Sequence, residues 1–242
     1  DTFAVMDQLR ALGREVWFQL GDRDLAWCIE RRRLEDEGAT ATAALRALNA
    51  SIGVRADVLP MTDAAAQTEV NGRPLQEFLI RGRGEGPVSS VVLGSAPGRP
   101  GPARPTPEVL AALAGAQAIV IGPSNPVISI WPILMVAGEA LGRSPAPVVA
   151  VSPLVGGEVL KGPTAAFLDA YGLPTSAAGV ASFYASTAGV ELDGMLADEP
   201  PGPGAPGGIS WRTCDVLMDG ASGRARVAAE ALAFATSLAR PA

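Results

Sequence analysis

The sequence predicts an α/β fold of the Rossmann-like type, in which a mostly parallel sheet carries helices on both faces, with a small helical and hairpin insertion. Two observations support this prediction. The short runs at 118–121 and 147–151 are apolar throughout, which is typical of strands buried on both faces of a parallel sheet. Segments of helical periodicity alternate with these runs, and that alternation is the order expected of βα units.

The chain has 242 residues, of which 48% are hydrophobic, and this is enough for one sizeable core. We expect residues 1–242 to form a single α/β domain that lacks its first βα units. Within it we expect 21–85 to form an insertion subdomain made of helices and a hairpin.

The first third of the chain is predicted to be mainly helical. Gly13 and Gly38 are typical stops, and Thr40 or Thr42 can cap the third helix. The predicted helices span about 2–12, 24–36 and 42–51, the predicted strands span 16–20 and 56–59, and 21–24 is a polar loop.

The middle of the chain carries a hairpin signal and a strong helix start. Asn71-Gly72 supplies the positive φ of a type I′ turn, so 68–81 is predicted to be a hairpin, followed by a strand at 90–93. Thr106-Pro107-Glu108 combines a capping hydroxyl, proline at the first helical position and an acid. A helix to about 114 follows, and the apolar stretch to Leu141 is predicted to be kinked by Pro132.

After the strand at 147–151, the segment GGEVLKGP is predicted to be a loop. Helices are predicted at 164–171 and 177–185, and the Gly- and Pro-rich stretch 200–208 is predicted to be a flexible loop. A strand at 212–217 and an amphipathic helix at 222–238 complete the expected order.

Composition excludes several kinds of function. The net charge of −6 argues against a general nucleic-acid binder, which needs a basic surface. There is no histidine, so Ser-His-Asp hydrolysis and histidine-ligated metals are excluded. The two cysteines, Cys28 and Cys214, match no metal or redox spacing. With no signal peptide or membrane helix recognised, we expect a soluble, cytoplasmic protein that binds neither nucleic acid nor membrane.

Three polar segments follow predicted strands, where ligands bind in parallel sheets. GPSNP at 122–126 offers amides and a helix start to a phosphate, or else forms a tight turn capped by serine or asparagine. The segment 152–163 offers glycines and Lys161, or else is a flexible connection. Asp22-Arg23-Asp24 can hold a metal or a phosphate, or else forms a helix cap with a surface ion pair.

Taken together, the motifs resemble one family. GDRDLA at 21–26, LPMTD at 59–63, GPSNPVISI at 122–130, the segment from VVAVSP to KGP at 148–163, and TCDVLM at 213–218 are similar to those of the 2-phospho-L-lactate transferases of coenzyme F420 biosynthesis and their phosphoenolpyruvate-transferring relatives. The resemblance covers nearly the whole chain.

The resemblance implies an Mg²⁺-dependent transferase. A hydroxyl of the deazaflavin FO would attack the phosphorus nearest the lactyl or enolpyruvyl unit of a GDP-linked donor, giving F420-0 or its dehydro form and releasing GMP. A homodimer is the usual arrangement. The alternatives are a nucleotide-sugar-binding regulatory protein of the related gluconeogenesis-factor family and an inactive fragment.

The resemblance also implies roles for individual residues, with the metal-binding aspartates expected upstream of Asp1. The implied catalytic residues are Asp22 and Asp24. The implied donor-binding residues are Gly122, Pro123, Ser124, Asn125, Pro126, Ser152, Gly156, Gly157 and Lys161. The implied deazaflavin-binding residues are Gln19, Arg23, Asp1 and Thr2.

Two expectations concern single positions. Trp27, Cys28 and Trp131 depart from the family pattern, and Trp131 in place of glycine is expected to fill space near the donor. Asn125→Ala is expected to slow donor turnover by an order of magnitude or more with little loss of stability.

Overall fold

The computed structural model describes residues 1–95, 103–160, 162–186 and 188–238. The helices are α1 Ala4–Ala11, α2 Asp22–Asp36, α3 Ala41–Ser51, α4 Pro107–Ala114, α5 Trp131–Gly142, α6 Thr164–Ala170, α7 Ala177–Ser186 and α8 Gly220–Ser237. The strands are β1 Ala66–Val70, β2 Arg73–Pro74, β3 Val91–Ser95, β4 Ile119–Ile121, β5 Val148–Val151, β6 Leu154–Val155, β7 Glu158–Val159, β8 Gly194–Ala197 and β9 Ser210–Thr213. Two π-helical turns span Glu77–Arg81 and Pro126–Ile130.

The main sheet is parallel, as predicted. Its strand order is β4-β5-β8-β9, and each neighbouring pair runs in the same direction. A separate antiparallel sheet has the order β2-β1-β3, and β6 pairs with β7 as a short hairpin.

Helices cover both faces of the main sheet, which confirms the predicted fold class. Val148 and Ala150 of β5 join one buried cluster with residues of α5, α6 and α7. Val149 and Val151 of the same strand join a second cluster with residues of α8. This alternation follows from the two-residue period of a strand, and it explains why the sequence of β5 is apolar without interruption.

Caps and turns explain several boundaries that the sequence predicted. The Thr40 side chain accepts a hydrogen bond from the amide of Ala43 at 3.1 Å, and Thr106 accepts one from Val109 at 3.3 Å. Asn71 and Gly72 have φ values of 52° and 71°, as a type I′ turn requires. Pro132 lies in the first turn of α5, directly after the π-helical turn Pro126–Ile130.

Several predicted elements are wrong. Residues 16–20 and 56–59 are irregular rather than strands, and α2 already begins at Asp22, where a loop was predicted. The second arm of the hairpin ends at Pro74, after which the chain turns helical. The predicted strand at 212–217 is β9, which ends at Thr213.

The sequence reading missed β8, a central strand of the main sheet. All four of its residues are buried, but it contains no β-branched residue that would signal a strand. A side chain at Gly194 would meet Phe234 at 2.7 Å, so glycine is needed here for α8 to lie against the sheet. Residues 156–159, which were predicted to be loop, form the turn and second strand of the β6–β7 hairpin.

Among the described residues, no helix combines the length and the apolar character needed to cross a membrane.

Candidate functional site

A cavity of about 430 Å³ is formed by the loops that follow three strands of the main sheet. The first loop follows β4 and contributes 123–125, the second follows β5 and contributes 152–153, and the third follows β9 and contributes 216–218. Because the strands are parallel, these loops leave the same edge of the sheet. This is the edge at which open α/β sheets bind ligands.

The cavity combines apolar walls with a few hydroxyl groups. Ile128, Val155 and Val216 are among its apolar lining residues, and Ser124, Ser152 and Thr164 are its hydroxyl-bearing ones. An apolar surface with a small number of placed polar groups is typical of small-molecule sites. The two loops predicted to bind the donor therefore lie together around one cavity, although Lys161 falls outside the described residues.

Asn125 caps the π-helical turn that follows β4. Its Oδ1 accepts hydrogen bonds from the amides of Val127 at 2.9 Å and Ile128 at 3.1 Å, and its Nδ2 donates to Oγ1 of Thr164 at 3.2 Å. The sequence left two possibilities open at this junction, free amides for a phosphate and a turn capped by serine or asparagine. The structure shows the capped turn for these two amides, because the side chain of Asn125 binds them.

Ser152 is buried and holds its own loop. It is 2% exposed, and its hydroxyl oxygen accepts a hydrogen bond from the amide of Leu154 at 3.1 Å. Its backbone amide donates to the carbonyl of Leu196 in β8 at 2.8 Å. These contacts continue the pairing of the main sheet into the loop, so the wall of the cavity near β5 is firmly positioned.

Gly156 and Gly157 form the turn of the β6–β7 hairpin, with φ values of 61° and 73°. They are not among the residues that line the cavity. Instead, the amide of Gly156 donates to Oδ2 of Asp198 at 2.5 Å, and a side chain at Gly157 would stand 3.5 Å from Glu199. Gly156 therefore joins the hairpin to the acidic residues that follow β8.

Two predicted site residues, the catalytic candidate Asp22 and the deazaflavin-binding candidate Asp1, cap two helices reciprocally. Asp22 accepts hydrogen bonds at the start of α1 from the amides of Ala4 at 3.0 Å and Val5 at 3.1 Å, and from the hydroxyl of Thr2 at 2.6 Å. Asp1 accepts one from the amide of Arg23 at 3.2 Å at the start of α2. The hydrogen bond from the Thr2 side chain, with those from the amides, lowers the pKa of Asp22.

The other predicted N-terminal site residues are exposed. Gln19 accepts a hydrogen bond from Arg10 at 3.0 Å. Asp24 lines a groove of about 240 Å³ between α2 and α3, together with Trp27 and Cys28. Among the described residues, no member of the segment 1–24 lines the cavity at the sheet edge. The structure thus separates the two predicted sets of site residues instead of joining them in one cavity.

The family model described as "2-phospho-L-lactate transferase CofD" matches residues 16–203 of the chain. The chain belongs to the CofD family. This confirms the resemblance drawn from the motifs, and the matched range includes the loops after β4 and β5 but ends before β9.

Relatives from archaea and bacteria agree with this membership in the CofD family. A protein of Methanosarcina mazei named 2-phospho-L-lactate transferase is 35% identical over 188 residues, which are 76% of this chain and 61% of the relative. A Thermobifida fusca protein named phosphoenolpyruvate transferase is 35% identical over 249 residues, 98% of this chain and 74% of the relative. The chain thus spans between three fifths and three quarters of the length of these two relatives.

A solved structure supports the fold. The X-ray structure of a Bacillus halodurans protein superposes with a TM-score of 0.57 at 19% identity, covering 84% of this chain and 70% of that one. At this identity the likeness concerns the fold alone.

One expectation drawn from the CofD-family pattern concerns Trp131. Trp131 does not line the cavity. It packs edge-on against Tyr171 and Phe183, with ring centroids 5.8 and 5.9 Å apart, so it fills space against the core rather than in this cavity. Among the residues that the structure describes, no three histidine, cysteine, aspartate or glutamate side chains gather to hold a metal.

Sequence reasoning missed one wall of the cavity and one carboxylate that supports the β6–β7 hairpin beside it. Val216, Leu217 and Met218 line the cavity, but 216–217 were assigned to a strand, which hid their place in a loop. Asp198 was missed because β8 was missed. Its Oδ2 accepts the hydrogen bond from the Gly156 amide, whereas its Oδ1 is buried and has no partner among the described residues. The signal available was the motif TCDVLM at 213–218.

Proposed function

We propose that the chain is a transferase that moves a phospholactyl or phosphoenolpyruvyl group from a GDP-linked donor to the deazaflavin FO. The products are F420-0 or its dehydro form and GMP. The names of the relatives at 35% identity support the class of group transferred. The observation that carries the proposal is the single cavity that the loops after β4, β5 and β9 form at the carboxyl edge of the sheet.

The reaction is a substitution at phosphorus. A hydroxyl oxygen of FO forms the new P–O bond to the phosphorus that carries the three-carbon acid, and the P–O bond to GMP breaks. The hydroxyl proton leaves to solvent or a base, and the bond electrons go with GMP. Such a step needs positioning and charge stabilisation rather than a covalent intermediate, which suits a chain without histidine.

The residues of the cavity support binding of the donor in distinct ways. The apolar side chains of Ile128, Val155 and Val216 can pack against a planar base, which gains from burial of its faces. The hydroxyls of Ser124 and Thr164 can donate to ribose or phosphate oxygens. Asn125 fixes the turn after β4 relative to Thr164, because its side chain forms hydrogen bonds with both.

Mg²⁺ dependence, a homodimer and a cytoplasmic setting complete the proposal. Among the described residues, no three histidine, cysteine, aspartate or glutamate side chains form a metal site. We propose Asp22 and Asp24 as catalytic residues. The proposed FO-binding residues are Asp1, Thr2, Gln19 and Arg23. None of these residues lines the cavity, so FO would have to reach beyond it to meet them.

The test is incubation of the protein with FO, the GDP-linked donor and Mg²⁺, followed by mass spectrometry. We expect a phospholactyl or phosphoenolpyruvyl adduct of FO and an equal amount of GMP, and we expect EDTA to abolish both. Binding of a UDP-sugar without any adduct would instead support the regulatory protein. The absence of both the adduct and nucleotide binding would support an inactive fragment.

A further inference from the structure

The segment 214–219, which joins β9 to α8, forms one wall of the cavity and is held mainly by a single side chain. Val216, Leu217 and Met218 line the cavity. Arg226, two turns into α8, reaches back to this segment through its guanidinium group. Nη2 donates to the carbonyl of Leu217 at 2.8 Å and pairs with Oδ2 of Asp215 at 2.7 Å, while Nη1 donates to the carbonyl of Asp215.

A second feature of α8 receives the same segment. Gly223 is buried, and a side chain at this position would meet Oδ1 of Asp219 at 2.4 Å and the carbonyl oxygen of Leu217 at 3.0 Å. The backbone of the segment therefore lies directly on the first turn of the helix. Glycine at 223 permits the close approach, and Arg226 fixes it with hydrogen bonds.

The remaining anchors of the segment are few among the described residues. The amide of Cys214 donates to the carbonyl of Ala197 at 2.8 Å, and the amide of Leu217 donates to Oδ1 of Asp215 at 2.9 Å. Val216 is buried in the cluster beneath α8, whereas Leu217 and Met218 are 37% and 40% exposed. The two residues that face the open part of the cavity thus depend on the arginine for their position.

We propose that Arg226 is a positioning residue, which holds Leu217 and Met218 as a fixed wall against the nucleotide part of the donor. This inference rests on the proposed function for the identity of the ligand. An arginine suits the task because its planar fork can bind two carbonyls and a carboxylate at once. A wall fixed before the ligand arrives reduces the ordering cost of binding.

The experiment compares Arg226→Met and Arg226→Lys with the matched control Arg224→Met. Methionine keeps much of the apolar stem but removes every hydrogen bond, and lysine restores one or two of them. Arg224 lies on the same helix, is exposed, and has no hydrogen bond or ion pair among the described residues. Gly223→Ala displaces the same segment by a different route and serves if Arg226→Met does not fold.

Two readouts are needed. Hydrogen exchange of the amides at 214–219 should be about tenfold faster in Arg226→Met and unchanged in Arg224→Met. The KM for the GDP-linked donor and the Kd for GMP should rise about tenfold with kcat little changed, because the wall acts on binding. Arg226→Lys should recover part of both effects.

Each outcome bears on one of the two proposals. Unchanged exchange at 214–219 in Arg226→Met overturns the positioning role. Faster exchange with unchanged KM and Kd also overturns it, since the contact would then be structural only. A parent protein that forms no FO adduct and binds no GMP overturns the proposed function, while the exchange experiment still decides whether Arg226 holds the segment.

Discussion

The carboxyl edge of the main sheet and the N-terminal helices use polar residues in opposite ways. At the sheet edge, Asn125 and Ser152 are supported by buried strands and still border a cavity. In the N-terminal region, the carboxylate oxygens of Asp1 and Asp22 accept hydrogen bonds that cap two helices. Both regions carry motifs of the family, but only the first encloses space for a ligand of nucleotide size.

The packing of the two regions differs as much as their polar chemistry. Seven of the ten residues of α7 are buried beside the sheet. All fifteen residues of α2 are described, and none of them is buried. The ion pairs on the surface of α2 are exposed and contribute little to stability. One example is Arg32 with Asp36 at 2.6 Å. A site at the sheet edge is therefore held rigidly. The N-terminal helices, in contrast, are held in place mainly by their caps.

The largest expected effect comes from blocking the cavity. Ser124→Trp places an indole at an exposed position that lines the cavity, so the ligand loses space while the core is untouched. We expect transfer to FO to fall at least about 100-fold with little change in Tm. Steady-state assays with mass-spectrometric detection and a thermal melt would measure the two quantities.

The matched control for this variant is Ser51→Trp, at an exposed serine that ends α3 in the other region. It should leave the rate of transfer near that of the parent. Full activity in Ser124→Trp would place the donor outside the cavity and would reverse the contrast between the two regions.

The next effect in size concerns Asn125, whose cap role changes the expectation drawn from sequence. Asn125→Ala should slow transfer and also lower the free energy of unfolding by about 1 kcal/mol, the usual cost of losing a cap. Asn125→Asp keeps the acceptor for Val127 and Ile128 but loses the donor to Thr164. Denaturant unfolding should therefore show the aspartate variant to be the more stable of the two.

The comparison with Asn125→Asp separates capping from ligand binding. If both variants lose activity equally while only the alanine variant loses stability, the link to Thr164 matters for the ligand. An alanine variant as stable as the parent would contradict the capping role that the hydrogen bonds imply.

The sequence predicted the sheet edge better than the N-terminal region, for a physical reason. The apolar runs of β4 and β5 predicted neighbouring parallel strands, so the loops that follow them were expected to meet at one edge. β5 is buried throughout, whereas Val120 of β4 is 37% exposed. The run VWFQL at 16–20 also looks like a strand, but Phe18 and Gln19 are exposed and the segment pairs with no described strand. A local pattern indicates a strand only when a neighbouring strand is available.

The missed features share one cause, which is that they depend on contacts between distant residues. β8 is a strand because α8 and β5 bury it, not because Gly-Met-Leu-Ala prefers to be extended. The roles of Asp22 and Arg226 are fixed by partners 17 to 20 and 9 to 11 residues away. No spacing rule in the sequence indicates those pairs.

The smallest expected effect is a pH dependence confined to the N-terminal helices. Hydrogen bonds from Thr2 and from the amides of Val5 and Ala4 lower the pKa of Asp22. A carboxyl group whose pKa is lower in the folded state contributes stability above its unfolded pKa of about 3.9. That contribution is lost as the pH falls through the lower, folded value, so α1 should begin to fray only below about pH 4.

Hydrogen exchange of the amides of Ala4 and Val5, corrected for the intrinsic effect of pH, would measure this fraying. Asp22→Asn should fray at every pH, since an amide oxygen is a weaker acceptor than a carboxylate, and it should remove the pH dependence. The amides of the turn after β4 provide the internal comparison, because their cap is the neutral side chain of Asn125. Equal acid sensitivity in the two regions would show that the carboxylate of Asp22 does not hold the start of α1.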